Sequence, residues 1–113
     1  MRPRNLEFQS PLAAGFTAFL AHKRALGRRY DTEQRDLCLF DRFLVAQRLS
    51  DPAALTPALV EAFLRSRSRR RPRSVNALLG VLRQCCRWLV VQGLLPADPV
   101  RVRPRRTTAQ RVP

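Results

Sequence analysis

Between Val75 and Val90 the apolar residues fall at Val75, Leu78, Leu79, Leu82, Cys85, Cys86, Leu89 and Val90. At about 100° per residue they gather on one arc, a spacing that no strand period of two reproduces. The stretch therefore has to be a helix with one face buried, and the rest of the chain has to supply elements that cover that face. A length of 113 residues is enough for one domain that does so.

Three other segments carry helical spacing. In "SPLAAGFTAFLAHKRALG", Ser10 can cap, Pro11 suits the first helical position, and Leu12, Phe16, Phe19, Leu20 and Leu26 repeat until Gly27, which predicts a helix over about 11–26. In "DTEQRDLCLFDRFLVAQR", Asp31 or Thr32 can cap, and Glu33, Leu37, Phe40 and Leu44 form one stripe with Leu39 and Phe43 on a second, which predicts a helix over about 32–48. "LTPALVEAFLRS" opens on Thr-Pro and predicts a short helix over 57–66. Pro72 discourages helix at Arg71, so the fourth helix is expected over 75–92, capped by Ser74 and stopped at Gly93. The proline-rich "LLPADPVRVRPRRTTAQRVP" that follows predicts no further long helix. The expectation is all-α: a flexible stretch over 1–10, a four-helix domain over 11–95 and an extended basic tail over 96–113. No strand pattern, internal repeat or Gly-rich phosphate loop interrupts it.

The side of the fourth helix that faces away from its apolar arc is as ordered as the arc itself. Arg73, Asn76, Gly80, Arg83 and Arg87 fall within roughly 80° of one another, on a ridge about 130° around from the core stripe. The helix begins after a run with arginine at 65, 67, 69, 70, 71 and 73, and no Asp or Glu lies between Glu61 and Asp98. A solvated helix face usually mixes signs for i,i+4 pairing, so an acid-free interval of this length points to a partner outside the chain. With 22 basic and 8 acidic residues the formal charge is +14, which makes that partner polyanionic. Nearly all the charge is arginine, Lys23 being the sole lysine, and the planar guanidinium suits phosphate oxygens and guanine edges. Ser74 and Asn76 near the helix start add short polar donors where free amides and the helix dipole favour a phosphate. Arg28, Arg29, Thr32, Arg35 and Arg42 give the second helix a weaker version of the pattern, diluted by Asp31, Glu33, Asp36 and Asp41.

The residue inventory argues against chemistry. His22 is the only histidine, Tyr30 the only tyrosine, and the few carboxylates are interspersed with arginines, so no triad, paired acid or metal set is indicated. Cys38, Cys85 and Cys86 lack the spacing of a zinc site or a disulfide framework, which suits a reducing, cytoplasmic setting. No apolar run approaches the ~18 residues of a membrane span, and the first residues lack a signal peptide's apolar core. No cofactor, metal, membrane or small-molecule substrate is expected.

"FLAHKRALGRRYDTEQRDLCLFDRFL", "LTPALVEAFL" and "RPRSVNALLGVLRQCCRWLVVQGLLPADPV", in that order, resemble the N-terminal core-binding domain of the tyrosine recombinases, the phage-integrase class. The likeness spans about residues 12–113. It implies a SAM-like orthogonal bundle of four or more helices, one jaw of a clamp on duplex DNA, with the second and fourth helices toward the major groove. By position it implies DNA contacts at Thr32, Arg35, Arg73, Ser74, Asn76 and Arg83. The closing "RPRRTTAQRVP" is similar to the family's basic interdomain linker, whose arginines lie along phosphates. Together with the charge pattern, the candidate DNA-binding residues are Arg28, Arg29, Thr32, Arg35, Arg70, Arg71, Arg73, Ser74, Asn76, Arg83, Arg87, Arg105 and Arg106. The resemblance does not extend to the family's catalytic half, so strand cleavage is not expected of this chain, and Tyr30 stands in the wrong region for the nucleophile. It also implies a prokaryotic, nucleoid-associated setting and other recombinase protomers as further partners.

Two other readings compete with this one. A protein-interaction module could use the Ala77, Val81, Gln84 and Trp88 arc or the first helix, although Trp88 is expected to pack under the first or third helix. A small RNA-binding protein fits the arginine content but lacks an evident stacking platform of Phe and Tyr.

Overall fold

Prolines and glycines punctuate the chain, and the computed structural model, which describes residues 8–67 and 71–101, shows what they delimit. Helix α1 runs Ala13–Ala25, α2 Asp31–Ala46, α3 Pro57–Ser66 and α4 Pro72–Val91, with one 3-10 turn at Pro52–Ala54. Among the described residues there is no strand, so the architecture is all-α.

The third helix matches its expected bounds. Thr56 Oγ1 accepts from the Leu59 N–H at 3.3 Å, and Pro57 fills the first helical position, where a missing N–H costs nothing. The same device corrects the fourth: α4 starts at Pro72, not 75, with Arg71 extended at φ −60°, ψ 147° as its flanking residue. Ser74 is thus inside the first turn, not a cap, and no side chain caps this helix end. At the start of α1 the chain makes a turn through Pro11 and Leu12 before the helix, with Ser10 Oγ accepting from the Leu12 N–H at 3.1 Å. Neither Asp31 nor Thr32 caps α2; Tyr30 precedes it in the left-handed region, at φ 56°, ψ 34°. Gly27 (φ 92°) and Gly93 (φ 78°) follow α1 and α4, where a positive φ lets the chain leave a helix at little cost.

The core forms where α1, α2 and α4 pack on one another. Phe16 and Phe19 of α1, Leu37, Phe40 and Leu44 of α2, Val60 and Phe63 of α3, and Leu82, Cys85 and Leu89 of α4 are all essentially inaccessible to solvent. Phe40 lies 5.0 Å and Phe43 5.4 Å from the Phe63 ring, centroid to centroid, which docks the short α3 on α2. The α1–α4 approach is close enough that a Cβ on Gly15 would stand 2.8 Å from Leu89 Cδ2.

The packed body is longer at both ends than the 11–95 span suggests. Phe8 meets Phe16 edge to face at 5.2 Å, and buried Asp41 of α2 accepts the Gln9 and Ser10 amides at 2.8 and 3.0 Å. Asp41, expected among the acids that dilute the arginines of the second helix, is instead an internal acceptor that fixes the entering chain. At the other end Leu95, Pro99 and Val100 are buried, with Asp98 Oδ1 accepting from the Val100 N–H at 3.0 Å.

Candidate nucleic-acid interface

Helix α4 presents its two arcs to two environments. Val75, Leu78, Leu79, Leu82, Cys85, Cys86 and Leu89 are buried and Val90 is half-buried. On the ridge Arg73 and Arg87 are exposed, while Asn76, Gly80 and Arg83 are half-buried. Nothing lies within 4 Å of the position a Gly80 Cβ would take, so the ridge has open space at its middle. Arg71 and Ser74 are exposed at the helix start, where Arg73 and Ser74 contribute amides that no preceding turn can satisfy. From Arg73 to Arg87 the helix rises roughly 21 Å at ~1.5 Å per residue, about the length of six base-pair steps of ~3.4 Å.

The second cluster sits at the corner between α1 and α2. Arg28 and Arg29 are exposed there, and Thr32 and Arg35 are exposed in the first turns of α2. The corner is held by Arg24 of α1, which donates through Nε to the Arg29 carbonyl at 2.8 Å and through a terminal nitrogen to Gln34 Oε1 at 2.7 Å and Asp31 Oδ1 at 3.4 Å. The Arg24–Asp31 ion pair is 39% and 71% exposed on its two sides, so it adds little to stability.

One hydrogen bond joins the two clusters: the Tyr30 hydroxyl meets Gln84 Oε1 at 3.1 Å, across 54 positions of sequence. Gln84 is exposed on α4 between Arg83 and Arg87, so the α1–α2 corner sits beside the C-terminal half of the ridge. Arg71, Arg73 and Ser74 lie toward the other end of the same helix. Arg70, Arg105 and Arg106 fall outside the described residues.

Around that bond lies an aromatic group. Trp88 packs 5.9 Å from Phe19 and stacks on His22 at 5.3 Å, both residues of α1, which is the packing expected of it. Phe19 also meets Tyr30 edge to face at 5.9 Å, and the Lys23 ammonium lies 5.9 Å from the Tyr30 ring centre. Val81 is buried as well, so α1 and Tyr30 occupy much of the arc that offered a protein-contact surface on α4. Burial raises the Tyr30 phenol above its ordinary value, with Glu33 and Cys85 adding to the rise and Arg28 opposing it. Burial also pushes the Cys85 thiol up, beside Cys86, and raises Cys86 to about 12, so neither is a ready nucleophile.

Sequence reasoning missed Arg24, Tyr30 and Gln84 as organisers of the surface. The single tyrosine was visible, but its partner lies on another helix and no local pattern names it. Among the described residues no three of His, Cys, Asp and Glu gather where they could hold a metal ion, and no helix is long and apolar enough to cross a membrane. No family model matches the chain, and no curated protein or solved structure is similar to it at a significant level.

Proposed function

We propose that this chain is a DNA-binding module of the core-binding type found in tyrosine recombinases and integrases, a SAM-like bundle that docks α2 and α4 on duplex DNA without cutting it. The observation that carries the reading is the division of α4: one arc is consumed by the core, while the ridge through Arg73, Gly80 and Arg87 stands outside it on a helix that contains no acidic residue. Arginine and short polar donors at a helix start, with apolar anchorage behind, suit phosphate contacts that fix register and a few base-edge contacts that read sequence. Arg28, Arg29, Thr32 and Arg35 supply a second line of contacts at the corner. Other recombinase protomers are the further partners on this reading, and its setting is the prokaryotic nucleoid.

Fluorescence-anisotropy titration against a generic duplex at several salt concentrations tests it. With ~5 phosphates neutralised, log K should fall against log salt with a slope of about −4.5. Affinity should be roughly micromolar or weaker at physiological salt, in the non-specific range. A flat salt dependence or no binding at low salt would sink the reading, and preference for duplex RNA in direct competition would redirect it.

One observation favours a second reading, a protein-interaction module. The outer positions of α1, Ala14, Thr17, Ala18, Ala21 and Ala25, are exposed and uncharged, and Val91 (79%) and Leu94 (45%) are exposed apolar residues following α4's core arc. Self-association that persists in high salt would be its signature.

A further inference from the structure

We infer that the Tyr30–Gln84 hydrogen bond is a positioning contact: it locks the α1–α2 corner against α4 so that Arg28 and Arg29 stand in register with the ridge at Arg83 and Arg87. The inference rests on the DNA-binding reading above and assigns its geometry to residues that need touch no DNA.

The local backbone is the first argument. Tyr30 holds a left-handed conformation that a bulky side chain seldom adopts, and it does so between two exposed arginines and the first residue of α2. Helix initiation does not demand it, since α3 and α4 both start from extended residues. The conformation places the ring edge against Phe19 and carries the hydroxyl to Gln84.

The corner is gripped from two sides. Arg24 reaches over it from α1 to Arg29, Asp31 and Gln34, and Gln84 holds it from α4. Arg28 and Arg29, which precede Tyr30, are exposed. The core contacts already join α2 to α4, so an exposed, uncharged side-chain bond adds little to folding, and its use is orientation of what flanks it. Two arginine clusters on separate elements neutralise one phosphate track together only when their spacing is fixed before the DNA arrives.

Tyr30→Phe and Gln84→Ala test this without changing any charge. Duplex-DNA affinity, its salt slope and the melting temperature are measured for the parent, both single variants and the double variant. Each single variant is expected to bind about three- to tenfold more weakly, with a salt slope shallower by ~1–2 as one or two phosphate contacts are lost. The melting temperature should stay within about 4 °C. The double variant should be no weaker than the singles, and Arg28→Ala should weaken the parent but not the Tyr30→Phe chain. Unchanged affinity and slope in Tyr30→Phe, or additive losses in the double variant, would overturn the positioning role. A parent that binds and depends on Arg73 and Arg87 while ignoring Tyr30→Phe keeps the DNA reading and removes this inference alone; a parent that binds no duplex removes both.

Discussion

The inner and outer arcs of α4 share twenty residues of one helix and answer to different demands. Inward, every position from Val75 to Leu89 that faces the core is filled by an apolar side chain or a buried thiol. Outward, Arg73, Arg83 and Arg87 flank Asn76 and an open Gly80. A helix needs its inner arc to fold, and nothing about folding demands an outer arc of one sign. Helix α2 provides the control: its arginines share the helix with Asp31, Glu33 and Asp36, and its remaining acid, Asp41, is spent inside the fold. A helix whose charged residues are all of one sign is therefore a more specific signal than arginine content alone, and it is what the DNA-binding proposal rests on.

Alkali should strike the inner arc hardest. The Cys86 thiol rises from an ordinary 9.0 to about 12 in the folded chain, so the unfolded chain gives up its proton first. Its contribution is intact below pH 9 and disappears as the pH climbs to about 12, a loss of roughly 4 kcal/mol at ~1.4 kcal/mol per unit. Urea melts between pH 8 and 11 should show a steep fall in stability, flatter in Cys86→Ala. Truncating Leu82, which is 1% exposed, should cost about 3 kcal/mol with any DNA binding by the surviving folded fraction preserved.

The outer arc should behave the opposite way. Arg73→Ala with Arg87→Ala should leave the urea midpoint nearly unmoved and weaken duplex binding at least about tenfold, with a slope shallower by ~2. If the melt moves and the binding does not, the division between the arcs is wrong. Gly80→Ala separates them more finely: with no atom near the new methyl, it should stabilise the helix by about 0.5–1 kcal/mol while weakening DNA binding if the duplex approaches there. Least of all, Asp31→Asn should change stability by a few tenths of a kcal/mol, about the worth of an exposed pair, and slightly tighten DNA binding by removing a negative charge. A large loss would mean that the corner depends on that pair.

Much of this architecture is legible in the sequence, for a definable reason. Core stripes, the Thr56–Pro57 start and the stops at Gly27 and Gly93 are local signals, set by residues within a turn or two of one another. What escaped was non-local. The Asp41 carboxylate turned to the amides of Gln9 and Ser10 and the reach of Tyr30 to Gln84 join segments 31 or more positions apart, and the left-handed Tyr30 stands where a cap at Asp31 or Thr32 was expected. The start of α4 at Pro72 is local as well, the same proline device that opens α3 at Pro57. The ridge was legible as a pattern, but the half-burial of Asn76 and Arg83 was not, because that depends on which neighbours cover the edge of the arc.

The one indole of this molecule rests on its one imidazole, at a seam between α1 and α4 that the arginine ridge does not include. The chain thus carries an unlabelled optical gauge whose signal has a single origin. Its emission follows the closing of that seam, and polarisation of a tagged duplex would report the docking proposed for the ridge, so folding and binding can be followed in one cuvette as two separate colours.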